Sequence, residues 1–133
     1  MLRADAAAHY KWGVTKKTAS SYRDLVIWQR AIQVCVAIYR LTKSFPREEI
    51  YGLSNQLRRA SVSVPSNIAE GYGRLTREQY RHFLGIAKGS NLELQTQLVV
   101  ARELGFSDAS EIGRAESLSF EVGKMLTTML KGL

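Results

Sequence analysis

The stretch FPREEIYGLSNQLRRASVSVPSNIAEG, residues 45–71, decides the fold class. Its apolar residues recur at spacings of three and four, which is the period of an α-helix. These apolar residues are Ile50, Leu53, Leu57, Ala60, Val64 and Ile68. The pattern keeps its phase through Pro65, although a proline inside a helix normally breaks it. We therefore predict one long helix that begins near Arg47, is kinked at Pro65 and ends at Gly71 and Gly73.

The same proline predicts an open hydrogen-bonding group in the backbone. Pro65 has no N–H, so the carbonyl group of Ser61, four residues earlier, loses its helical partner. Buried backbone groups are nearly always paired. We expect a nearby serine hydroxyl or a water molecule to donate a hydrogen bond to this carbonyl.

Four polar residues of the stretch share one face of the predicted helix. They are Arg59, Ser63, Asn67 and Glu70, and Arg58 lies on the adjoining face. One interpretation is a buried polar network, in which Glu70 pairs with an arginine and Asn67 bonds neighbouring backbone. The other is a direct role in binding a ligand.

The segment before this stretch, residues 23–43, predicts a first helix with two apolar seams. The first seam holds Leu25, Trp28, Ile32, Cys35 and Tyr39. The second seam holds Ile27, Ala31, Val34, Ile38 and Leu41. A helix that packs on one side of a monomer needs only one apolar stripe. We therefore predict that the second seam is the interface of a homo-oligomer.

Two more helices are predicted after the stretch. Thr76 and Gln79 have the spacing of a capping box and begin the third helix, and Asp108 with Glu111 begins the fourth. Four helices joined by short loops predict an all-α fold, an antiparallel up-down four-helix bundle over residues 22–133.

Two glycines, Gly85 and Gly89, interrupt the third helix, where each costs about 1 kcal/mol relative to alanine. We expect them to allow the close approach of the second helix or of another protomer.

Residues 1–21 mix small residues with lysines and are predicted to be a poorly ordered leader. An upstream start codon assigned in error, or an interaction arm, would give the same pattern.

The chain of 133 residues has a formal net charge of +7, and the positive excess lies in its first two-thirds. Arg74, Arg77, Arg81 and Lys88 recur at helical spacings, so they predict one basic strip along the third helix. We expect this strip to contact phosphate groups, with Arg58 and Arg59 as further candidates. The alternative is an ordinary solvated face.

Other classes of protein are disfavoured by the sequence. Hydrophobic residues make up 45% of the chain and charged residues 23%, as is typical of a globular protein. We find no apolar stretch long enough to span a membrane and no signal-peptide core, so we expect a cytoplasmic location. The single cysteine excludes an intramolecular disulfide, and His9 and His82 lack metal-ligand spacing. We therefore expect no enzymatic activity, no catalytic residues, no metal site and no cofactor.

Three segments resemble one known family. They are SYRDLVIWQRA (residues 21–31), the stretch 45–71, and FLGIAKGSNLELQTQLVVARELG (residues 83–105). Together they are similar to the four-helix-bundle proteins of 23S rRNA intervening sequences, over residues 22–133. The bundle also looks like the accessory variability protein of diversity-generating retroelements. The resemblance implies a homopentamer and no catalytic activity, and for the retroelement protein it implies a reverse transcriptase and its template RNA as partners.

These observations predict a non-catalytic, homo-oligomeric scaffold, pentameric by the resemblance, that binds RNA or DNA through its basic surface with little sequence specificity. The alternative is a protein-interaction module, such as an accessory subunit of a retroelement reverse transcriptase. A small hydrolase or nuclease would need clustered acids or histidines, which we do not find.

Overall fold

In the computed structural model, residues 21–133 are described and form four long α-helices, with no strand in that range. The helices are α1 (Val26–Thr42), α2 (Leu53–Tyr72), α3 (Arg77–Glu103) and α4 (Ala109–Lys131). Short 3-10 segments precede α1 and α2, at Tyr22–Asp24 and Arg47–Tyr51. The predicted all-α bundle of four helices is confirmed. The predicted leader, residues 1–21, lies outside the described residues except for Ser21.

The four helices form a closed ring of contacts around one core. Helix α1 packs against α2, α2 against α3, and α3 against α4, which packs in turn against α1. Among the largest fully buried side chains are Ile38, Leu57, Ile68, Tyr80, Leu94 and Leu126. Burying an apolar side chain of this size contributes roughly 1.5–3 kcal/mol. The packing of the four helices is therefore stabilised mainly by these core side chains. Within residues 21–133, no helix combines the length and the apolar character needed to cross a membrane.

The second helix begins later than the sequence predicts. Residues Arg47–Tyr51 form a 3-10 turn, and the α-helix starts at Leu53 after Gly52. The carboxylate of Glu49 accepts a hydrogen bond of 2.9 Å from the backbone N–H of Leu53 and so caps α2. Ile50 therefore lies before the helix and is 54% exposed, instead of beginning the buried stripe.

The register of α2 through its proline is as predicted. The helix is continuous across Pro65, and Val64 and Ile68 on either side are both buried. Pro65 is itself buried, so the stripe faces the core without a break. The bend at this position stays a prediction.

The predicted oligomer interface on α1 is wrong, because its residues lie inside the single chain. Ile27, Ala31, Val34, Ile38 and Leu41 are 0–2% exposed and belong to the core. The first seam is also mostly covered, with Leu25 and Cys35 buried. Helix α1 needs two apolar seams because α2 covers one of its sides and α4 covers another. The apolar residues that α1 leaves exposed are Val26, Val36 and Tyr39.

The predicted N-caps, Thr76 of α3 and Asp108 of α4, are confirmed, although the side chain of Asp108 bonds the N–H of Ser110 and not that of Glu111. The hydroxyl of Thr76 accepts a hydrogen bond of 3.1 Å from the backbone N–H of Gln79. The carboxylate of Asp108 accepts one of 3.0 Å from the N–H of Ser110. These bonds satisfy N–H groups that the first turn of a helix leaves unpaired.

The glycines of the bundle have two different environments. A Cβ atom on Gly71 would lie 2.9 Å from Cδ1 of Tyr80 and 3.0 Å from Cβ of Phe83. The end of α2 therefore approaches α3 too closely for any side chain at this position. Apart from the neighbouring backbone of α3 itself, nothing in the described chain lies within 4 Å of a Cβ atom on Gly85 or Gly89. The expected approach of α2 to these two glycines is wrong, and an approach by another protomer stays a prediction.

Candidate nucleic-acid interface

The predicted basic strip begins with an arginine whose charge is already paired. Arg74 donates a hydrogen bond of 2.5 Å to the carboxylate of Glu70, one turn earlier. Its guanidinium also lies 4.8 Å from the centre of the Phe83 ring. Both charged side chains remain partly exposed, so the pair is screened by water. Arg74 therefore adds little net positive charge to the strip.

Two arginines at the start of α3 contact the end of α4. Arg77 donates a hydrogen bond of 2.9 Å to the backbone carbonyl of Gly132, and Arg81 one of 2.6 Å to that of Leu130. The last carbonyls of a helix lack intrahelical partners and carry partial negative charge. These bonds leave the positive charges in place, and a guanidinium has five N–H donors. Both side chains are exposed and keep donors for a phosphate group.

Two lysines of α4 extend the basic surface, and the sequence interpretation missed them. Lys124 lines the same groove as Lys88 of α3, and Lys131 lies in the last turn of α4, between the carbonyls that Arg77 and Arg81 bind. The fourth helix carries three acidic and three basic residues, so its net charge does not mark it as part of a basic surface. The spacing of seven residues between the two lysines, which places them on one helix face, was the available signal.

We call this surface the basic edge. It is formed by Arg77, Arg81 and Lys88 of α3 with Lys124 and Lys131 of α4. Glu78 is the one acidic residue of α3 between the ends of its three cations.

Arg58 and Arg59 do not join the basic edge. The Nε atom of Arg58 donates a hydrogen bond of 2.8 Å to the hydroxyl of Thr42, and its guanidinium lies 5.1 Å from the Tyr39 ring centre. Arg58 therefore ties α2 to α1. Arg59 is exposed and lines a separate groove with Ser63 and Glu93, between α2 and α3. These adjacent helix positions point the two arginines toward different neighbours, and phosphate contact by either of them stays a prediction.

The predicted polar network is present in part. The amide of Asn67 donates to the backbone carbonyl of Ser63 at 2.8 Å and to its hydroxyl at 3.0 Å. The hydroxyls of Ser63 and Ser90 are 2.8 Å apart, which joins α2 to α3. Glu70 pairs with an arginine as expected, but its partner is Arg74 rather than Arg59. The bonds centred on Ser63 favour the structural interpretation of these residues.

A second polar network, in the interface of α3 and α4, was not predicted. The amide of Asn91 donates to the backbone carbonyl of Ser119 at 2.9 Å and accepts from its hydroxyl at 2.9 Å. Gln95 donates to the same hydroxyl at 3.1 Å. Asn91 and Ser119 are almost fully buried, so these bonds fix the two helices relative to each other. Helical spacing alone could not show that Asn91 faces a serine of another helix.

The ionisable groups of the core show no activated nucleophile in residues 21–133. Burial raises the pKa of the Cys35 thiol to about 11, so this thiol is protonated at neutral pH. Burial also raises the pKa of Tyr80, whose hydroxyl has no hydrogen-bond partner in the described structure. No group of three His, Cys, Asp or Glu side chains in this range could hold a metal ion.

Two comparisons with known proteins found matches, one to a family and one to a fold. The sequence profile described as 23S rRNA-intervening sequence protein matches residues 23–128. A solved structure from Bacteroides thetaiotaomicron, described as a protein with unknown function from the S23 ribosomal protein family, has the same fold. Its TM-score is 0.73 at 20% sequence identity, over 80% of this chain and 99% of that chain. No curated protein matches the chain in sequence.

Proposed function

The chain belongs to the 23S rRNA-intervening sequence protein family, and from this premise we propose that it binds the backbone of a nucleic acid, RNA or DNA, without catalysis and with little sequence specificity. The observation that carries the proposal is the basic edge. It brings five cations from two helices together around a single acid of α3.

The length of the basic edge fits a nucleic-acid backbone. Lys88 lies eleven positions after Arg77, and at 1.5 Å per position this spans roughly 16 Å of α3. Phosphates of one B-form strand are about 3.4 Å apart along the helix axis, so the edge covers about five of them. Contacts of this kind position a protein on a strand but do not read bases. Low sequence specificity follows.

We also propose that the protein acts as a homo-oligomer. Since the second seam of α1 is buried, the support comes from the apolar outer surface. Ile32, Val36 and Ala37 of α1 and Leu118 of α4 line a groove of about 370 Å³. A ring of copies, pentameric as the family resemblance implies, would multiply the formal charge of +7 and strengthen the field that attracts a polyanion.

The α1–α4 groove also supports a second candidate function, a protein-interaction module. Its lining includes Arg40, Glu111 and Arg114 together with the apolar side chains, which suits a protein partner with mixed charges. An accessory subunit of a retroelement reverse transcriptase is one such module. A reverse transcriptase gene with variable repeats beside this gene would favour it, whereas a position inside an rRNA operon would favour the first function.

The test is a titration of labelled RNA and DNA at two salt concentrations. In the double variant Lys88→Gln with Lys124→Gln, we expect weaker binding and a salt dependence whose slope falls by about two, since each lost phosphate contact removes about 0.9. The matched control is Lys43→Gln with Arg47→Gln, which removes the same charge from exposed residues outside both the basic edge and the α1–α4 groove. Affinity that is absent at low salt, or that does not change with salt, would contradict the proposal. Equal losses in both double variants would contradict the assignment to this edge.

A further inference from the structure

A groove of about 580 Å³ between α3 and α4 combines two exposed apolar side chains with two lysines. Phe120 of α4 is 50% exposed and Leu92 of α3 is 51% exposed, and both line the groove. Lys88 and Lys124, which also belong to the basic edge, lie in the same lining. An exposed phenylalanine inside a cationic groove is unlike the solvated face that a basic strip usually forms.

The base of this groove is held in place by buried contacts. Asn91 and Gln95 of α3, which are also part of the lining, bond to Ser119 of α4, next to Phe120. A Cβ atom on Gly123 would lie 3.2 Å from the amide nitrogen of Asn91, so the absence of a side chain there lets the two helices meet closely. The backbone of α4 that carries Phe120 is therefore held close to α3.

The charge of the groove selects an anionic occupant. None of its lining residues in the described structure is acidic. Glu121, the acid next to Phe120 in sequence, forms a salt bridge of 3.4 Å with Arg30 of α1, away from the lining residues. The groove thus offers an aromatic face and two cations, and no acidic side chain from its own lining to repel an anion.

We propose that the α3–α4 groove holds an unpaired segment of nucleic acid, with one base stacked on Phe120 and the flanking phosphates beside Lys88 and Lys124. The inference rests on the proposed function and makes it more specific, because it names a single strand as the preferred ligand. Every base has a π-face, so stacking on a ring tolerates any sequence. Bases within a duplex are stacked on each other and cannot reach the ring, so duplex contacts only the cations.

The test compares Phe120→Leu with the wild type, using a labelled RNA of about 12 nucleotides and a DNA of the same sequence, each as a single strand and annealed to its complement. Loss of the ring is expected to weaken single-strand binding about tenfold and to leave duplex binding unchanged. Tyr51→Leu is the matched control, since Tyr51 is a 91% exposed aromatic outside the groove, and it should bind like the wild type. Phe120→Trp should bind single strands at least as tightly as the wild type, and its added tryptophan should be quenched by them.

The outcomes separate this inference from the function on which it rests. If no nucleic acid binds at any salt concentration, the proposed function and the inference both fail. If binding is salt-dependent but Phe120→Leu binds single strands as tightly as the wild type, the inference is overturned and the function stands. If Phe120→Leu instead changes the mass measured by light scattering, the ring belongs to a contact between copies, which also overturns the inference.

Discussion

The thiol of Cys35 in α1 donates a hydrogen bond of 2.8 Å to the backbone carbonyl oxygen of Ser61 in α2. This carbonyl is the one that Pro65 leaves without a helical partner, because proline has no N–H. The donor thus comes from a neighbouring helix, while the hydroxyl of Ser61 bonds the carbonyl of Arg58 within α2. One cysteine both fills space in the core and satisfies the defect that the proline creates.

We expect Cys35→Ala to lower the free energy of unfolding by about 1–3 kcal/mol, because a buried carbonyl loses its only described donor. The loss should depend on Pro65. In a Pro65→Ala background the backbone N–H of residue 65 can pair with Ser61, so Cys35→Ala should then cost less. Denaturant unfolding of the four proteins in this cycle measures the coupling. Strictly additive effects would show that the thiol and the proline act independently.

The pH dependence of stability should carry a contribution from the same thiol. Its pKa rises from 9.0 to about 11 on folding, mainly through burial. A raised pKa in the folded state favours the protonated thiol, so this contribution is complete below pH 9 and is lost as the pH rises toward 11. Two pKa units correspond to about 3 kcal/mol. The free energy of unfolding should be measured for the wild type and for Cys35→Ser between pH 8 and 11. The difference between the two proteins should shrink as the pH rises, and a constant difference would show that the thiol does not cause this pH dependence.

The four helices could be predicted from the sequence, because their apolar residues recur with the helical period. The starts of α3 and α4 could be predicted from their capping residues. Sequence periodicity placed Pro65 correctly, since a broken helix would have lost the phase of the stripe. It failed where the answer depended on a neighbouring helix. The second seam of α1 looked like an oligomer interface, but a helix in a closed four-helix ring contacts two neighbours. For the same reason, the sequence could not show that the thiol of Cys35 bonds the carbonyl of Ser61. It also could not show that Lys124 and Lys88 line the same groove.

Gly71→Ala should destabilise the bundle. The added Cβ atom would lie 2.9 Å from the Tyr80 ring and 3.0 Å from Cβ of Phe83, and neither neighbour is the far end of a flexible chain. Overpacking of this kind costs roughly 1–3 kcal/mol. A drop in the denaturant midpoint with an unchanged slope would confirm it. A midpoint equal to that of the wild type would mean that α2 and α3 can separate at this point without cost.

Gly89→Ala is the matched comparison for Gly71→Ala, and it should raise the stability of the bundle instead of lowering it. The position is exposed, in the interior of α3, with nothing within 4 Å of an added Cβ atom. Alanine is favoured over glycine by about 1 kcal/mol in a helix interior, so the thermal midpoint should rise. The measurement should be made across a range of protein concentrations. Stability that falls, together with a lower oligomer mass, would show that another copy packs against this glycine.

Glu70→Gln should tighten the binding of nucleic acid by releasing the charge of Arg74. The carboxylate of Glu70 now neutralises this guanidinium, which lies three residues before the basic edge. One more unit of positive charge near a phosphate is worth about 1 kcal/mol in water, or about fivefold in affinity at low salt. The slope of log affinity against log salt concentration should become steeper by about 0.9, the value for one added phosphate contact. Glu111→Gln makes the same change in net charge in the lining of the α1–α4 groove, away from Arg74, and should have a smaller effect. Equal effects of the two variants would mean that net charge, rather than the position of Arg74, governs the affinity.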